Sequence, residues 1–337
     1  MTETMCAIGF RRYGPPEVLE QLVLARPTLA PGAILVRVAA AGINPADWNL
    51  RSGSLRLAVR LKLPFVLGAD VAGIIEAVGE GVTQFQPGDA VYAMLPTSEG
   101  GGYAEYAALD AAIAMRVPAN LGLTEAAAVP LAGITALQAL RYQAAIQPGE
   151  QVLVNGASGG VGTFAVQIAK LLGAHVTAVC SGRNIDLVRD LGADDVRDYT
   201  RDDIFASETR YNAIFDTIGS QPFRRWRRLL QMRGTVVTIA PKPRDLAISL
   251  LTRLSRQRLK VFFVRPSGSD LEALSGWIAD GRLRPVVDRS YALADAVDAH
   301  RYSESKRVRG KLVLVVDEQL AAQQPACTAR AILTPIA

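Results

Sequence analysis

The chain has 337 residues, half of them hydrophobic and a fifth charged, with a formal net charge of +5. That length accommodates two domains, and the composition is that of an ordinary globular protein. No apolar run reaches a membrane span, no signal-peptide pattern surrounds Arg11 and Arg12, and Cys6, Cys180 and Cys327 are too scattered for a disulfide framework, so a cytoplasmic setting without a membrane partner is expected.

The first third is rich in glycine, proline and short β-type runs. Residues 34–38, 71–75 and 90–93 are the clearest, separated by turn signals such as Pro31-Gly32 and Pro87-Gly88-Asp89. Short strands broken by glycine and proline predict a compact β-rich, barrel-like domain. The texture changes near Leu123. Thr124, Glu125 and an alanine-rich stretch read as a capped helix start, and helical signals continue to Tyr142.

Residues 151–162 read Gln-Val-Leu-Val-Asn-Gly-Ala-Ser-Gly-Gly-Val-Gly. An apolar run stops at small residues, and Val161, Ala165, Ile168 and Leu172 then recur at the spacing of one helix face. Strand, tight turn and helix is the context of a dinucleotide pyrophosphate site. Glycines let backbone approach a phosphate, and the helix N-terminus offers free N–H groups. Ala157, Ser158, Gly159, Gly160, Val161 and Gly162 are therefore candidate cofactor contacts.

Strands predicted at 175–180, 196–199, 213–217, 235–239 and 261–264 then alternate with helices, including 184–191 and 223–231. Such alternation predicts a parallel, doubly wound sheet. A helix over 270–280 and a strand over 311–316 follow. Residues 319–337 show no clear period and read as a loosely ordered tail. The densest basic run, Arg224-Arg225-Trp226-Arg227-Arg228, has Trp226, Leu229 and Leu230 spaced to face a core while the arginines stay solvated. A charge run alone is weak evidence for a partner, and nucleic acid is not expected.

Cofactor choice is read at the end of the second strand, about twenty residues after the glycines, where a carboxylate would bind a ribose 2′-hydroxyl and repel a 2′-phosphate. Here the residues are Cys180-Ser181-Gly182-Arg183. Ser181 and Arg183 suit a phosphate, and a guanidinium matches its geometry. NADPH is the predicted cofactor.

With these pieces in place the chain resembles the medium-chain dehydrogenase/reductase superfamily, in its zinc-independent, quinone-oxidoreductase-like branch. The landmarks are residues 41–47 (Ala-Gly-Ile-Asn-Pro-Ala-Asp), 67–73 (Leu-Gly-Ala-Asp-Val-Ala-Gly), 85–91 (Phe-Gln-Pro-Gly-Asp-Ala-Val), 102–106 (Gly-Tyr-Ala-Glu-Tyr), and 126–130 (Ala-Ala-Ala-Val-Pro) through Thr135-Ala136, followed by the glycine turn. Ala157 replaces the first glycine of the G-x-G-x-x-G form, a variant common in this branch. The resemblance implies an α/β fold, with a GroES-like β-rich catalytic domain and a Rossmann doubly wound parallel sheet. Residues 1–123 and 267–318 would form the discontinuous catalytic domain and 124–266 the NADP-binding domain, with the cofactor in the cleft between them.

Zinc-dependent relatives place a cysteine at Asn44 and a His-Glu pair at Ala69-Asp70. An amide and a methyl cannot replace thiolate and imidazole ligands, so no metal is expected. The two histidines, His175 and His300, read as structural or surface residues. By resemblance, Asn44 and Thr135 lie beside the nicotinamide as positioning residues. Ile218, Phe263 and Val264 wall the same pocket, Lys311 lies near the cofactor end of the cleft, and Tyr199 lies against the 2′-phosphate.

The function so implied is hydride transfer from NADPH to a quinone or an α,β-unsaturated carbonyl. Two alternatives stay open. An enoyl-thioester reductase is disfavoured because the tyrosine such relatives carry after Asn-Pro is missing around Ser52-Gly53-Ser54-Leu55. A non-catalytic NADPH-binding protein with a nucleic-acid or protein partner is kept open by the arginine clusters, including Arg253, Arg256 and Arg258. No general acid is evident. Asp47, Tyr92 and Tyr103 are candidates by sequence, and solvent is another proton source. The strand near Val261 lies where family members pair sheets edge to edge, which predicts a homodimer.

Overall fold

In the computed structural model, which describes residues 3–323, the first part of the chain is almost entirely β. Its elements are β1 (Thr4–Phe10), β2 (Glu20–Ala25), β3 (Ala33–Ile43), helix α1 (Pro45–Ser52), β4 (Phe65–Val66), β5 (Asp70–Val78), β6 (Ala90–Met94), β7 (Tyr106–Asp110) and β8 (Ala114–Arg116). The long strand β3 organises them. It pairs antiparallel with β5 along most of its length and with β7 over Ala33–Arg37. Register shifts near Leu35 and Val38 bend it so that its second half meets another partner. Small residues continue the strand past the expected Val38. Ala39, Ala40 and Ala41 are fully buried, and a Cβ on Gly42 would collide with the Ala127 carbonyl and the Asp70 carboxylate.

Helices α2 (Leu123–Ala126) and α3 (Pro130–Leu137) lead into the second part. Glu125 accepts a hydrogen bond from the Gly122 N–H, so the cap is Gly122, two residues before the expected Thr124. The elements β9 (Gln151–Asn155), α4 (Gly160–Leu171), β10 (His175–Cys180), α5 (Ile185–Asp190), β11 (Asp195–Asp198), β12 (Tyr211–Asp216), α6 (Phe223–Trp226), β13 (Leu230–Thr238), α7 (Pro243–Leu251) and β14 (Arg258–Val261) then alternate. Their six strands form one parallel sheet in the order β11-β10-β9-β12-β13-β14. The chain winds outward from β9 and returns to its other side at β12. The carboxyl ends of β9 and β12 are therefore the switch point where such sheets bind ligands.

Two expected elements differ. The helix predicted to run to Gln231 ends at Trp226, because Leu230 starts a strand that pairs with Tyr211. Trp226, Leu229 and Leu230 are buried as expected, with Arg224, Arg227 and Arg228 exposed. The last strand is Arg258–Val261 and not 261–264, because the ladder with Thr235–Thr238 on β13 stops at Val261.

The chain then returns to the first sheet through α8 (Gly268–Ala279), β15 (Val287–Ala292), α9 (Ala296–Glu304), β16 (Lys311–Val315) and α10 (Glu318–Ala321). β16 pairs antiparallel with residues 40–43 of β3 and parallel with β15, completing a seven-stranded sheet. The start of the segment expected to be a loose tail is helical. The Asp317 carboxylate accepts the Leu320 N–H, and Leu320 is buried. The rest of that expectation, from residue 324, lies outside the described residues, as does Cys327. One hydrophobic core unites both sheets, with Ala40, Ala72 and Tyr92 packed in the same cluster as Val152, Phe164 and Phe215. Among the described residues, no helix is long and apolar enough to cross a membrane.

Candidate active site at the sheet switch point

The glycine turn crosses the carboxyl end of β9. Gly156 has a positive φ, and a Cβ there would run into Thr217 and Ile218, so the loop after β12 packs directly on the turn. Gly162 faces inward, where a Cβ would strike the Gly156 carbonyl. Gly159 differs, since its nearest protein atom would be Gly156 O at 3.4 Å. Gly159 is bridged to Gly310, which turns the Gly160 N–H toward the Gly310 carbonyl, whereas among the described residues the N–H groups of Val161 and Gly162 have no backbone partner at this first turn of α4. Free donors, a positive helix end and an unobstructed glycine fit a pyrophosphate.

The end of β10 is tied to this turn. The Asn184 amide donates to the Ser158 hydroxyl at 2.8 Å and the Ser181 hydroxyl at 3.2 Å. Arg183 is exposed and donates to the Arg307 carbonyl at 3.0 Å, while Arg309 donates to the Arg183 carbonyl at 3.0 Å. The segment before β16 thus lies beside Ser181 and Arg183. Tyr199 follows β11 and is 62% exposed. A carboxylate does approach this region. Asp198 lies against Gly182, and hydrogen bonds from the Thr200 hydroxyl and N–H hold its pKa below the usual range.

A buried polar cluster lies where β16 meets the glycine turn. Asn44 occupies the N-cap position of α1, yet its side chain does not cap the helix. The Asn44 N–H donates to the Asp47 carboxylate at 2.7 Å, and the amide group donates to Asp70 at 2.9 Å. The Lys311 ammonium donates to the Asn44 amide oxygen and, at 2.9 Å, to the same Asp70 oxygen. The other Asp70 oxygen accepts the Leu131 N–H at 2.6 Å, at the start of α3. A Cβ on Gly160 would lie 3.0 Å from Lys311 Cδ, so this lysine runs along the turn. Thr135, one helical turn further along α3, is buried and donates to the Leu131 carbonyl at 2.6 Å.

Behind Asn44 lies a second network. Asp47 also accepts from the Gly68 N–H at 3.2 Å and the Tyr103 hydroxyl at 3.3 Å, and that hydroxyl is 3.3 Å from His300 Nε2. Burial is the main cause that pushes the Asp47 carboxyl up to about 7. Burial likewise pushes His300 down to about 3 and the Tyr103 phenol upward. Tyr92 bonds Ser275 at 2.7 Å and joins β6 to α8, away from these networks.

The site residues expected from sequence thus separate into groups. The turn residues, Ser181, Ile218, Asn44 and Lys311 converge around the switch point. Phe263 is 68% exposed beyond the end of β14, and Val264 is partly buried against the core. Among the described residues, no cluster of three or more His, Cys, Asp or Glu side chains could hold a metal.

Two family models match the chain: the alcohol dehydrogenase GroES-like domain over residues 30–119, and the zinc-binding dehydrogenase over residues 191–314. The chain is 34% identical over 322 residues to the chloroplastic quinone-oxidoreductase QR1 of Triphysaria versicolor, covering 92% of this chain and 98% of that protein. It is 30% identical to the mitochondrial NAD(P)H oxidoreductase RTN4IP1 of Mus musculus, covering 90% of this chain and 87% of the relative. The solved structure of the Escherichia coli quinone oxidoreductase complexed with NADPH matches with a TM-score of 0.82 at 29% identity, covering 92% of this chain and 100% of that one. The chain belongs to the medium-chain dehydrogenase/reductase superfamily. It is an oxidoreductase of the quinone-oxidoreductase-like branch, with the GroES-like and Rossmann-type sheets of that family.

Within this family frame, sequence reasoning missed three residues. Asp70 enters the sequence reading only as the position of the glutamate in the His-Glu pair of zinc-dependent relatives, yet it joins Asn44, Lys311 and α3. Asn184 links the glycine turn to the end of β10, and its amide oxygen is buried without a partner among the described residues. Asp198 is the carboxylate that the β10 end itself lacks. Only Asn184 had a local signal, a polar side chain three residues after Ser181 at a helix start.

Proposed function

We propose that this oxidoreductase is an NADPH-dependent, zinc-independent reductase of quinones or α,β-unsaturated carbonyls. The observation that carries the reading is the pair of free N–H groups of Val161 and Gly162 at the start of α4, beside the buried Asn44–Asp70–Lys311 cluster. When bound, the reduced nicotinamide supplies hydride. The chain's residues bind and orient. The glycine turn would hold the pyrophosphate, and Asn44 and Thr135 would position the reacting groups. The Thr135 hydroxyl proton is engaged by Leu131, so this group is suited to accept a hydrogen bond and not to donate one. The names of the relatives, a quinone-oxidoreductase and an NAD(P)H oxidoreductase, agree with this class of reaction.

Preference for NADPH is supported by Ser181, Arg183 and Tyr199 around the β10 end. Asp198 opposes it by charge, but its oxygens are occupied by Thr200 and Gly182. Zinc independence is supported by donor chemistry. Asn44 and Ala69 offer no thiolate or imidazole, and Asp70 is engaged by Lys311. Metal analysis of the purified protein should find no stoichiometric zinc.

The edge position of β14 supports a homodimer, with the exposed Phe263, Leu250, Leu251 and Leu254 beside it. A monomer by light scattering at micromolar concentration would remove this assignment.

The deciding experiment follows NADPH oxidation with a panel of quinones and enones. Turnover with at least one acceptor class is expected. Tight NADPH binding without turnover on any of them would overturn the reductase reading.

A further inference from the structure

Lys311 is a cation with almost no access to water. Its side chain is 3% exposed, and its partner Asp70 is fully buried. Two of the three ammonium protons are directed, one to the Asn44 amide oxygen and one to Asp70. The third has no partner among the described residues. The groups that hold the ammonium are themselves fixed. Asp70 is anchored by the Leu131 N–H, and the Asn44 amide donates back to Asp70. A buried ion pair is an expensive brace, because well-packed apolar residues usually do as well or better. This one also lies along the glycine turn, against Gly160, at the sheet switch point.

We propose that Lys311 is the electrophile of the reaction. Its third N–H hydrogen-bonds the carbonyl oxygen of the acceptor, and Asn44 and Asp70 are positioning residues that aim it. This proposal rests on the reductase reading. For an enone, the hydride forms a new C–H bond at the β-carbon. The C=C pair shifts to the α-carbon–carbonyl-carbon bond, and the C=O pair moves onto oxygen, giving an enolate. Lys311 stabilises that oxygen anion and keeps its proton. Water then supplies a proton to the α-carbon, and the nicotinamide is the group oxidised. A quinone follows the same course, with charge building on its oxygen. A preorganised donor in a dry site stabilises developing charge without reorganisation, and losing one such donor costs about 100- to 1,000-fold in kcat.

The test compares the parent with Lys311→Met and with the double variant Lys311→Met/Asp70→Asn. The double variant leaves no unpaired buried charge and keeps the test open if the single variant fails to fold. The acceptors are enones and quinones graded by reduction potential. NADPH affinity is measured separately by quenching of protein fluorescence. Both folded variants should bind NADPH within about threefold of the parent. They should lose about 100-fold or more in kcat on enones, and progressively less on more oxidising quinones, which need less help to accept charge. An equal loss across the whole series, or a loss of NADPH affinity matching the loss of turnover, would overturn the electrophile role. The first outcome would make Lys311 a structural brace and the second a cofactor ligand. A parent that turns over no acceptor would instead remove the reductase reading itself.

Discussion

The Lys311 ammonium lies 2.9 Å from the Asp70 carboxylate, across 241 residues of sequence, with both side chains buried. Three elements meet at this pair: β5 supplies Asp70, β16 supplies Lys311, and α3 presents the Leu131 N–H. Asp70→Ala removes one charge and strands the other in a low-dielectric interior. It should destabilise the protein by about 3–5 kcal/mol, measured by urea unfolding. Adding Lys311→Met to Asp70→Ala should recover a large part of that loss, because no uncompensated charge remains. A double variant as unstable as Asp70→Ala alone would show that the loss is one of packing and not of charge pairing.

Two glycines of the same turn should behave oppositely. Gly162 packs against the Gly156 carbonyl, so Gly162→Ala must displace backbone. A lower melting temperature is expected, with weakened NADPH binding as a consequence. Gly159 has room for a methyl on the protein side. Gly159→Ala should therefore melt within a few degrees of the parent yet bind NADPH more than about tenfold more weakly, because the methyl fills space a phosphate needs. Equal effects of the two changes on melting would contradict this division.

These contrasts explain what could be read in advance. The turn was legible because its chemistry is local: phosphate approach and helix–strand contact demand small residues at fixed spacing. The alternation of strands and helices was legible for the same reason. The ends of elements were not. Trp226, Leu229 and Leu230 have helical spacing, but Leu230 is captured by its strand partner Tyr211. The Val261-Phe262-Phe263-Val264 run looks like a strand, but the ladder on β13 assigns Arg258–Val261 to that role. The Asp70–Lys311 pair and the approach of Asp198 to Gly182 arise from tertiary pairing, for which no spacing rule exists. Asn44 was found through its motif, while its geometry came from partners far along the chain.

The proposed preference for NADPH over NADH makes Arg183 the residue to test. It already contacts the Arg307 carbonyl, which holds it beside Ser181. Hydrogen bonds to charged groups contribute about 1.5–3 kcal/mol. Arg183→Ala should therefore raise KM for NADPH by about tenfold or more while changing KM for NADH less than about twofold. Steady-state kinetics with both nucleotides checks this. Equal effects on the two would remove Arg183 from the 2′-phosphate site.

Asp47 and His300, joined through Tyr103, should impose opposite pH dependences on stability. Asp47 has its folded-state pKa raised from 3.8 to about 7. The folded protein then holds a proton that the unfolded chain has released, so this contribution is complete below pH 3.8 and is lost as pH rises through about 7. His300 has its folded-state pKa lowered from 6.5 to about 3. Here the unfolded chain takes up a proton that the folded protein refuses, so this contribution is complete above pH 6.5 and is lost as pH falls through about 3. Over much of the acid range the two slopes offset each other, which is why each is best read as a difference from the parent. Asp47→Asn should gain melting temperature relative to the parent as pH rises from about 4 to 7, because the variant has no carboxyl to ionise. His300→Gln should gain relative to the parent as pH falls from about 6 to 4, because it has no imidazole to protonate on unfolding. Melting temperatures of the three proteins across this range test both signs at once. A difference that is flat with pH for either variant would mean that its side chain titrates alike in the folded and unfolded states.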